Sequence, residues 1–393
     1  MSFQSDRVAN MPPYVFARIN KKKAELIRSG VDVIDLGIGD PDLPTPEPIV
    51  EKLIEELKDP ANFRYSNYSG CIEFREAVTA YYKNMYNVDL DPEKEVLALI
   101  GSKEGIANLM PALIDPGDPV LVPDPSYGVY RAAVKLASGS VYSMPLTKDH
   151  HFRPDFYAIP EDVLQDAQLM LLNYPGNPTA ATVDLDFFQQ AVQFARQYNI
   201  PIAHDFAYNK ITFEDYQAPS ILQASGARDM AVEFGSLSKT YNMTGWRIGY
   251  AVGNPEMIKA LSIVKSNSDT SQFLPIQKAA AFALKSDQSS VDEKNRIYKR
   301  RMELVVRALD AIGIQTEKPR GSFFVWAEVP GPFTSGEFAE TLLEQTGVVV
   351  TPGIAFGPSG EGYFRISLTA PDQRLEAAVD RLKQHFHVHG KKV

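Results

Sequence analysis

The sequence predicts an α/β protein with a mainly parallel central sheet, helices on both faces of that sheet, and a smaller α+β domain. Through the middle of the chain, short and nearly continuous apolar runs alternate with segments of helical periodicity. This alternation is typical of parallel strands that are buried beneath helices on both sides. After about residue 290 the pattern changes to a long charged helix followed by fewer strands. The 393 residues are enough for two such domains.

Seven apolar runs are the candidate strands of the large sheet. Most of them carry apolar residues at consecutive positions, which indicates strands that are covered on both faces. Ligands of such sheets bind at the carboxyl ends of the strands, so the residues after each run are candidates for a functional site. The candidate strands are 96–100, 119–122, 140–144, 169–173, 200–204, 231–234 and 248–252.

Two amphipathic helices are predicted among the segments that connect these strands. One begins after Asp184, whose side chain is a candidate N-cap. The apolar residues at helical spacing in this helix are Phe188, Ala191, Val192 and Ala195. In the other helix they are Phe74, Ala77, Val78, Tyr81 and Met85. The spacing predicts that each helix packs one face onto the sheet.

The smaller domain is predicted mainly from the C-terminal part of the chain. Residues 32–39 are also expected to be extended, and we expect this N-terminal portion to pack with the smaller domain. The predicted division assigns residues 45–288 to the large domain, and residues 1–44 together with 289–393 to the small one. The C-terminal elements that support it are a helix at 291–312, strands at 323–329 and 363–368, and a helix at 371–386.

Composition and charge exclude several classes of protein. The formal net charge is −9, which argues against nucleic acid as a partner. Cys71 is the only cysteine, so an intrachain disulfide and a thiolate metal cluster are excluded. No apolar run is long enough for a membrane span, and the N-terminus lacks the apolar core of a signal peptide. We therefore expect a cytoplasmic protein with neither membrane nor nucleic-acid partners.

The run 236–249 carries a candidate catalytic lysine, Lys239, among small hydroxyl residues. A lysine that condenses with an aldehyde must lose its proton easily, and a dry pocket or a nearby cation lowers its pKa. Arg247, eight positions on, is such a cation, and with Ser236 and Ser238 it could also bind a phosphate. Most lysines are solvated surface charges, so the prediction depends on the residues upstream.

Polar residues follow three other candidate strands. Ser102 and Lys103 come after the first strand and open a helix, where backbone N–H groups can hold an anion. The spacing there is not that of a nucleoside-triphosphate loop. Asn177 lies in a Pro-rich turn after the strand at 169–173, which on its own predicts only a turn. Asp205 and Tyr208 follow the strand at 200–204.

Asp205 and His204, near the end of the strand at 200–204, are expected to have different surroundings. A carboxylate that closes a buried strand is costly unless it is paired, so Asp205 is expected to have a cationic partner. His204 alternates with Asp205 and should point to the opposite face of the strand. We interpret His204 as a packed structural residue.

The reactive groups fit one end of an aromatic aldehyde with a basic ring nitrogen and a phenolic oxygen. Lys239 would condense with the aldehyde, and Asp205 would keep the ring nitrogen protonated. Tyr208 and Asn177 would donate hydrogen bonds to the phenolic oxygen. After the substrate has displaced it, the Lys239 amine would act as base and then as acid.

The other end of the same molecule would be a phosphate arm. Ser102, Ser236 and Arg247 would bind this phosphate, and Ser238 and Lys103 lie beside them in the sequence. Tyr127 would stack on the ring opposite the small residue Ala207. The molecule with all these groups is pyridoxal 5′-phosphate, whose protonated ring withdraws electrons from a carbanion.

In order and spacing these residues closely resemble the fold-type I pyridoxal-phosphate enzymes, specifically the class I/II aminotransferases. The Asn177-Pro178-Thr179 motif is followed by Asp205 and Tyr208, then by Lys239, with Arg247 eight residues later. The resemblance extends from about residue 6 to residue 383. It implies an enzyme that moves an amino group between an L-amino acid and a 2-oxo acid such as 2-oxoglutarate, and that works as a homodimer with shared active sites.

The resemblance also implies residues that bind substrate. Tyr65 would reach across the dimer interface to the neighbouring cofactor phosphate. Arg365 would bind the substrate α-carboxylate bidentately, a geometry that lysine cannot supply; without the resemblance, an exposed strand cation is the plainer interpretation. The backbone of Gly39 would approach the same carboxylate. The other substrate contacts implied are Tyr14, Lys103, Tyr127 and Asn177.

Within the family, the motifs are most similar to those of LL-diaminopimelate aminotransferases of lysine biosynthesis. Two departures matter. Ala180 stands where the family usually has glycine, which we expect to alter only a turn. Tyr68 and Ser69 stand where the family has a glutamate able to pair with the second ammonium of diaminopimelate. An unpaired buried ammonium costs several kcal/mol, enough to change substrate preference. Asp269 is a candidate replacement.

Several alternatives remain open. The first is a broader-specificity aspartate, alanine or aromatic aminotransferase, and the second is a C–S β-lyase or decarboxylase on the same fold. A cofactor-binding regulator would need a DNA-binding module, which this acidic chain does not favour. His385, His387 and His389 could chelate a metal, but a frayed terminus is the preferred interpretation, and no metal is expected.

Overall fold

The computed structural model of the chain describes residues 3–9, 11 and 17–385. Tyr14 and the tail residues His387 and His389 lie outside the described residues. The strands are numbered in chain order. They are β1 Ile34–Asp35, β2 Val96–Leu99, β3 Pro119–Asp124, β4 Ser140–Pro145, β5 Leu169–Asn173, β6 Ile202–Asp205, β7 Ala231–Ser236, β8 Gly249–Gly253, β9 Phe324–Glu328, β10 Val348–Val349, β11 Thr351–Pro352 and β12 Tyr363–Ser367.

The α-helices range from single turns to a helix of 23 residues. They are α1 Asp6–Ala9, α2 Ala17–Arg28, α3 Glu47–Glu56, α4 Ile72–Tyr86, α5 Ser102–Leu113, α6 Val129–Leu136, α7 Glu161–Asp166, α8 Leu185–Tyr198, α9 Ala227–Met230, α10 Leu237–Thr240, α11 Pro255–Ser266, α12 Leu274–Lys285, α13 Ser289–Ala311, α14 Ser335–Thr346 and α15 Asp372–His385. None of them, over the described part of the chain, is long and apolar enough to cross a membrane.

The central sheet has seven strands in the order β2-β8-β7-β6-β5-β3-β4. Neighbours from β7 to β4 pair in parallel, while β8 is antiparallel to both β7 and β2. All seven strands predicted from the sequence are present, with ends that differ by a few residues. The predicted mainly parallel sheet is therefore confirmed, with one strand reversed.

The predicted helices around this sheet are also present. The side chain of Asp184 accepts a hydrogen bond from the backbone N–H of Phe187 at 3.0 Å and begins α8. The helix ends at Asn199, which adopts a left-handed conformation. In α4 the residues at helical spacing, Phe74 among them, are buried against the sheet. Both helices thus follow the amphipathic pattern of the sequence.

A smaller antiparallel sheet, β11-β12-β9, lies in the C-terminal part of the chain with α13 and α15. The N-terminal segment joins this part, because β1 pairs in parallel with β10. The segment was expected to be extended over 32–39, but the strand covers only Ile34–Asp35. The N–H of Leu36 still donates to Val349 of β10, but the Leu36 carbonyl accepts from Ser367 and the Gly37 N–H donates to the side chain of Asp35, so the pairing with β10 ends there.

Separate hydrophobic cores lie under the two sheets. Two clusters cover the faces of the central sheet, and a third surrounds the small sheet. The third cluster includes both Ile34 of the N-terminal segment and Ile366 of β12. This packing is consistent with the predicted domain division, whose boundaries near residues 45 and 288 stay a prediction.

Candidate active site

The carboxyl ends of β5, β6 and β7 meet at one edge of the central sheet because the three strands are parallel neighbours. Asn173 at the end of β5 is opposite Asp205, and Asp205 is opposite Phe234 of β7. The segments that follow these strands carry Asn177 and Lys239. The topology therefore brings together residues that are far apart in the sequence, as the strand-end pattern predicts.

Lys239 lies in α10, the short helix that directly follows β7. The side chain of Ser236 caps this helix by accepting a hydrogen bond from the backbone N–H of Ser238 at 3.3 Å. The ammonium of Lys239 donates to the backbone carbonyl of Gly39 at 2.9 Å, and lies 5.5 Å from the ring centre of Phe323. Lys239 thus points out of the large sheet toward the N-terminal segment and the small sheet.

The surroundings of Lys239 lower its pKa from 10.5 to about 8. Burial is the main cause, and the positive charges of Arg247 and Arg365 act in the same direction. Asp40 and Asp205 oppose these effects. A pKa near 8 gives Lys239 far more neutral amine at physiological pH than an ordinary lysine has.

We expect the pH dependence of aldehyde attachment to show this shift. Because the neutral amine is the nucleophile, attachment to Lys239 should rise with pH, level off above about pH 8, and fall about tenfold per unit below it. The measurement is the rate of borohydride-trapped modification of Lys239 by pyridoxal at a series of pH values. A lysine in a short peptide should keep rising to about pH 10; a Lys239 profile that coincides with the peptide's would contradict the lowered pKa.

Asp205 is buried at the end of β6 and binds neutral donors. Its carboxylate accepts from the Tyr130 hydroxyl at 2.7 Å and from the backbone N–H of Ala207 at 3.2 Å. These two neutral donors orient the carboxylate, and the predicted cationic partner, the protonated ring nitrogen of a cofactor, stays a prediction. Burial raises the pKa of Asp205, and the hydrogen bond from Tyr130 acts in the opposite direction.

His204 points away from the site, as predicted from strand alternation. Its Nδ1 lies 2.8 Å from the carboxylate of Glu233, and both side chains are fully buried. The same carboxylate accepts from Tyr82 and Ser220. His204 therefore belongs to a polar network on the opposite face of the sheet.

Arg365, on β12, is buried rather than exposed, with 6% of its surface accessible. Its guanidinium donates to Asn177 Oδ1 and to the carbonyl of Gly37, each at 2.6 Å. It is held between the rings of Phe324 and Phe356, with centres 4.0 and 4.7 Å away. The Nε–H is buried without a hydrogen-bond partner. Burial lowers the pKa of Arg365 to about 10, so Arg365 remains a cation at neutral pH. Its Nε–H is available as a hydrogen-bond donor.

Two tyrosines, Tyr208 and Tyr127, lie close enough to Arg365 to affect its pKa. Tyr208 is buried edge-on against the rings of Phe323 and Phe324, and its hydroxyl is hydrogen-bonded to Asn177. Burial raises the pKa of Tyr208 and that of the partly buried Tyr127. Both hydroxyls therefore stay protonated at neutral pH and can donate hydrogen bonds.

Arg247 lies against the turn that begins α5. Gly101 in this turn has a φ of +81°, and a Cβ added to it would lie 2.3 Å from Nη2 of Arg247. Glycine is thus required here for two reasons: other residues rarely adopt this positive φ, and a side chain would collide with the guanidinium of Arg247. The arrangement places Arg247 close to Ser102 at the start of the helix, where backbone N–H groups favour an anion.

The comparisons with known proteins agree with this geometry. The class I and II aminotransferase family matches residues 31–382, which include Lys239, Asp205 and Arg365. The chain belongs to the class I/II aminotransferases. An LL-diaminopimelate aminotransferase from Moorella thermoacetica is 49% identical over 381 residues, which cover 97% of this chain and 98% of that protein.

Solved structures show the same fold at full length. The substrate-bound structure of BacF from Bacillus subtilis has a TM-score of 0.93 and 38% identity, and 98% of each chain is covered. An aspartate aminotransferase from Thermotoga maritima has a TM-score of 0.90 and 31% identity, with 97% of this chain and 99% of that chain covered. The fold-type I architecture predicted from the sequence is confirmed for this aminotransferase.

Two other predicted site residues of the aminotransferase are exposed in the single chain. Tyr65 is 89% exposed, and Lys103 is exposed on the first turn of α5. Asp269, the candidate for a second ammonium, is already paired: it accepts from Lys265 at 2.5 Å and from the backbone N–H of Ser271 at 2.8 Å. That expectation is corrected, because the carboxylate serves a buried lysine of α11.

The alanine that departs from the family pattern occupies an unusual backbone position. Ala180 has a φ of +57° and is buried, and its backbone N–H donates to Gly176 at 3.1 Å. A positive φ explains why glycine is common here, since a Cβ is unfavourable in this conformation. The turn is nevertheless formed.

Sequence reasoning missed several residues of the site. Tyr130 is on α6, three positions after Tyr127. Its hydrogen-bond partner Asp205 is 75 residues away in the sequence, so the sequence does not show that the two meet. The aromatic rings of Phe324 and Phe356 around Arg365 look like ordinary core residues in the sequence. Gly37 could have been found, because it precedes Gly39 in a Gly-x-Gly motif, but the role of its carbonyl depends on β12.

Proposed function

We propose that this aminotransferase moves an amino group from LL-2,6-diaminopimelate to 2-oxoglutarate, with pyridoxal 5′-phosphate held on Lys239. The similarity to LL-diaminopimelate aminotransferases is the observation that supports this choice of substrate. Proteins of that name from Moorella thermoacetica and Aquifex aeolicus are each 49% identical over nearly the whole chain. Proteins this similar over their full length usually keep their active-site architecture.

The residues present fit the cofactor. The close approach of Arg247 to Gly101 leaves a cationic cradle at the start of α5, which suits a dianionic phosphate. Ser102, Ser236 and Ser238 lie on the segments next to this cradle. Lys239 with its lowered pKa suits the aldehyde, and Asp205 at the end of β6 suits a protonated ring nitrogen. When bound, the cofactor supplies an electron sink for the carbanion formed at the substrate Cα.

Individual residues of the chain would each have a separate role in the reaction. The guanidinium of Arg365 would hold the substrate α-carboxylate, and its unpartnered Nε–H is a donor available for this purpose. The Nζ of Lys239, once neutral, would accept the proton from the substrate Cα. The protonated hydroxyl of Tyr208 would donate to the cofactor's phenolic oxygen, and the packed aromatic rings around Arg365 would exclude water.

We further propose that the protein works as a homodimer. Large apolar side chains are exposed around Tyr65: Phe63 is 59% exposed, and it stacks on the partly exposed Phe273 with ring centres 5.9 Å apart. Ile54 and Tyr68 extend this surface. Contiguous exposed apolar surface indicates an interaction site. In a dimer formed through it, Tyr65 of each subunit would reach the neighbouring cofactor phosphate.

A second candidate is a broader-specificity aminotransferase. Two observations favour it: Tyr68 and Ser69 occupy the position of the glutamate that pairs with a second ammonium, and Asp269 is engaged with Lys265. Without a carboxylate for the distal ammonium, aspartate or aromatic donors would compete with diaminopimelate.

A donor screen distinguishes these candidates. The enzyme is loaded with pyridoxal 5′-phosphate and given 2-oxoglutarate with LL-diaminopimelate, aspartate, alanine, phenylalanine or tyrosine, and glutamate is measured. We expect glutamate from LL-diaminopimelate at a rate at least about tenfold above the others, as the similarity to LL-diaminopimelate aminotransferases implies. Equal rates for all donors would support the broader enzyme. In a parallel assay with cystathionine and no 2-oxoglutarate, pyruvate and ammonia together with the expelled thiol would indicate a C–S β-lyase.

A further inference from the structure

Lys294 is a buried lysine that lies behind the candidate active site. It is on α13, and only 4% of its surface is exposed. Its ammonium donates to the backbone carbonyl of Lys239 at 2.8 Å and to that of Thr240. A lysine of the C-terminal part of the chain is therefore bonded to the main chain of the reactive lysine itself.

This contact is unusual for a buried cation. A buried ammonium normally pairs with a carboxylate, because removal of its hydration is costly. The hydrogen bonds that Lys294 makes in the structure go to backbone carbonyls, and burial lowers its pKa to about 7. α10 has only four residues, so its last carbonyls have no partners within the helix. The ammonium of Lys294 donates hydrogen bonds to these carbonyls, those of Lys239 and Thr240.

The residue next to Lys294 makes a similar contact. Asn295 donates from its side chain to the backbone carbonyl of Lys210 at 2.7 Å, just after Tyr208. The hydroxyl of Thr240 lies 3.2 Å from Asn209 Oδ1, which joins the two loops. The first half of α13 thus holds both segments that follow β6 and β7.

α13 also belongs to the part of the chain that carries Arg365. Tyr298 and Met302 of α13 lie in the same hydrophobic cluster as Phe324 and Ile366, which flank the arginine. Lys294 therefore connects the packing around the carboxylate-binding arginine to the backbone of Lys239.

We propose that Lys294 is a positioning residue that fixes the main chain of Lys239 from α13 and so sets the direction in which the reactive amine approaches the substrate. This inference rests on the proposed role of Lys239. A small displacement of a reacting group lowers the rate of the chemical step much more than it lowers substrate binding. Loss of Lys294 should therefore reduce kcat while KM changes little.

The test compares Lys294→Met with Arg296→Met, an exposed control on the same helix. For Lys294→Met we expect kcat to fall at least about tenfold with KM within about threefold of wild type. The pH midpoint of the visible absorbance change of the pyridoxal-phosphate-loaded protein should also shift, because the Lys239 nitrogen is no longer held in place. Arg296→Met should leave kcat, KM and this midpoint unchanged.

The spectroscopic midpoint separates positioning from a general loss of stability. A folded Lys294→Met protein with wild-type kcat and an unchanged midpoint would overturn the proposal. If Lys294→Met does not fold, Lys294→Gln, which has a neutral amide donor on a shorter side chain, is judged by the same two measurements. Failure of both variants to fold would assign Lys294 to fold stability and would also overturn it. A wild-type protein that gains no absorbance with pyridoxal 5′-phosphate would instead contradict the proposed function.

Discussion

Replacement of Lys239 by alanine is expected to abolish transamination. The variant loses the one amine that lies between Gly39 and the ring of Phe323 with a pKa near 8. In the proposed mechanism this amine holds the aldehyde and accepts the proton from the substrate Cα, so both roles would be lost. Glutamate formation from the amino donor and 2-oxoglutarate should fall by at least about a thousandfold, as for other residues that act directly on the reacting atoms.

The control for this variant is Lys259→Ala, which removes an exposed lysine from α11 and should leave the rate unchanged. The thermal unfolding midpoints of both variants should be compared with that of wild type, so that a loss of folding is recognised. A Lys239→Ala enzyme within tenfold of the wild-type rate would show that another group performs the chemistry.

Replacement of Arg365 by lysine is expected to have the second largest effect. Lysine keeps the charge but has three N–H donors in place of five, so it cannot bind a substrate carboxylate bidentately while it also donates to Asn177 and Gly37. It also loses the planar stacking between the rings of Phe324 and Phe356. We expect kcat/KM for the amino donor to fall by about a hundredfold or more, mainly through KM, since the lost contact binds the substrate in its ground state as well.

A matched control is Arg374→Lys, because Arg374 also makes two hydrogen bonds to one carboxylate, that of Asp32, but on the surface. Exposed pairs contribute little, so this variant should keep its kcat/KM. If Arg365→Lys lowered kcat with KM unchanged, Arg365 would act on the chemical step rather than on carboxylate binding.

The sequence predicted most of the fold for a specific physical reason. Strands buried on both faces must be apolar at consecutive positions, so six of the seven strands of the central sheet could be located for this reason, while the edge strand β4 is partly exposed. The amino-acid composition of a strand does not indicate whether it runs parallel or antiparallel to its neighbours. β8 is therefore antiparallel without any signal in its sequence. Likewise, β1 is only two residues long because Leu36 and Gly37 form hydrogen bonds with Ser367 and with the side chain of Asp35, contacts that the sequence does not show.

From the strand pattern alone, without the family resemblance, the candidate site could be predicted only where a residue closes a buried strand or follows it within a few positions. Asp205 and Lys239 meet this condition, and the structure places both at the same sheet edge. Contacts between distant segments could not be predicted. The pairing of Asp205 with Tyr130 and the burial of Arg365 depend on how helices and the small sheet pack.

The contact of Lys294 with the main chain of Lys239 shows the same limitation. The two residues are 55 positions apart, and a lysine in a charged helix is usually solvated. Nothing in the spacing of α13 distinguishes this lysine from its neighbours. The burial of that position became apparent only from the packing of α13 against the loops after β6 and β7.

The most direct measurement is the location of the cofactor attachment. The purified protein is incubated with pyridoxal 5′-phosphate, reduced with borohydride and digested, and the modified peptide is identified by mass spectrometry. We expect a single pyridoxyl group on Lys239 in the wild-type protein and its loss in Lys239→Ala. A wild-type protein without the label, or with the label only on other lysines, would contradict the assignment of this site.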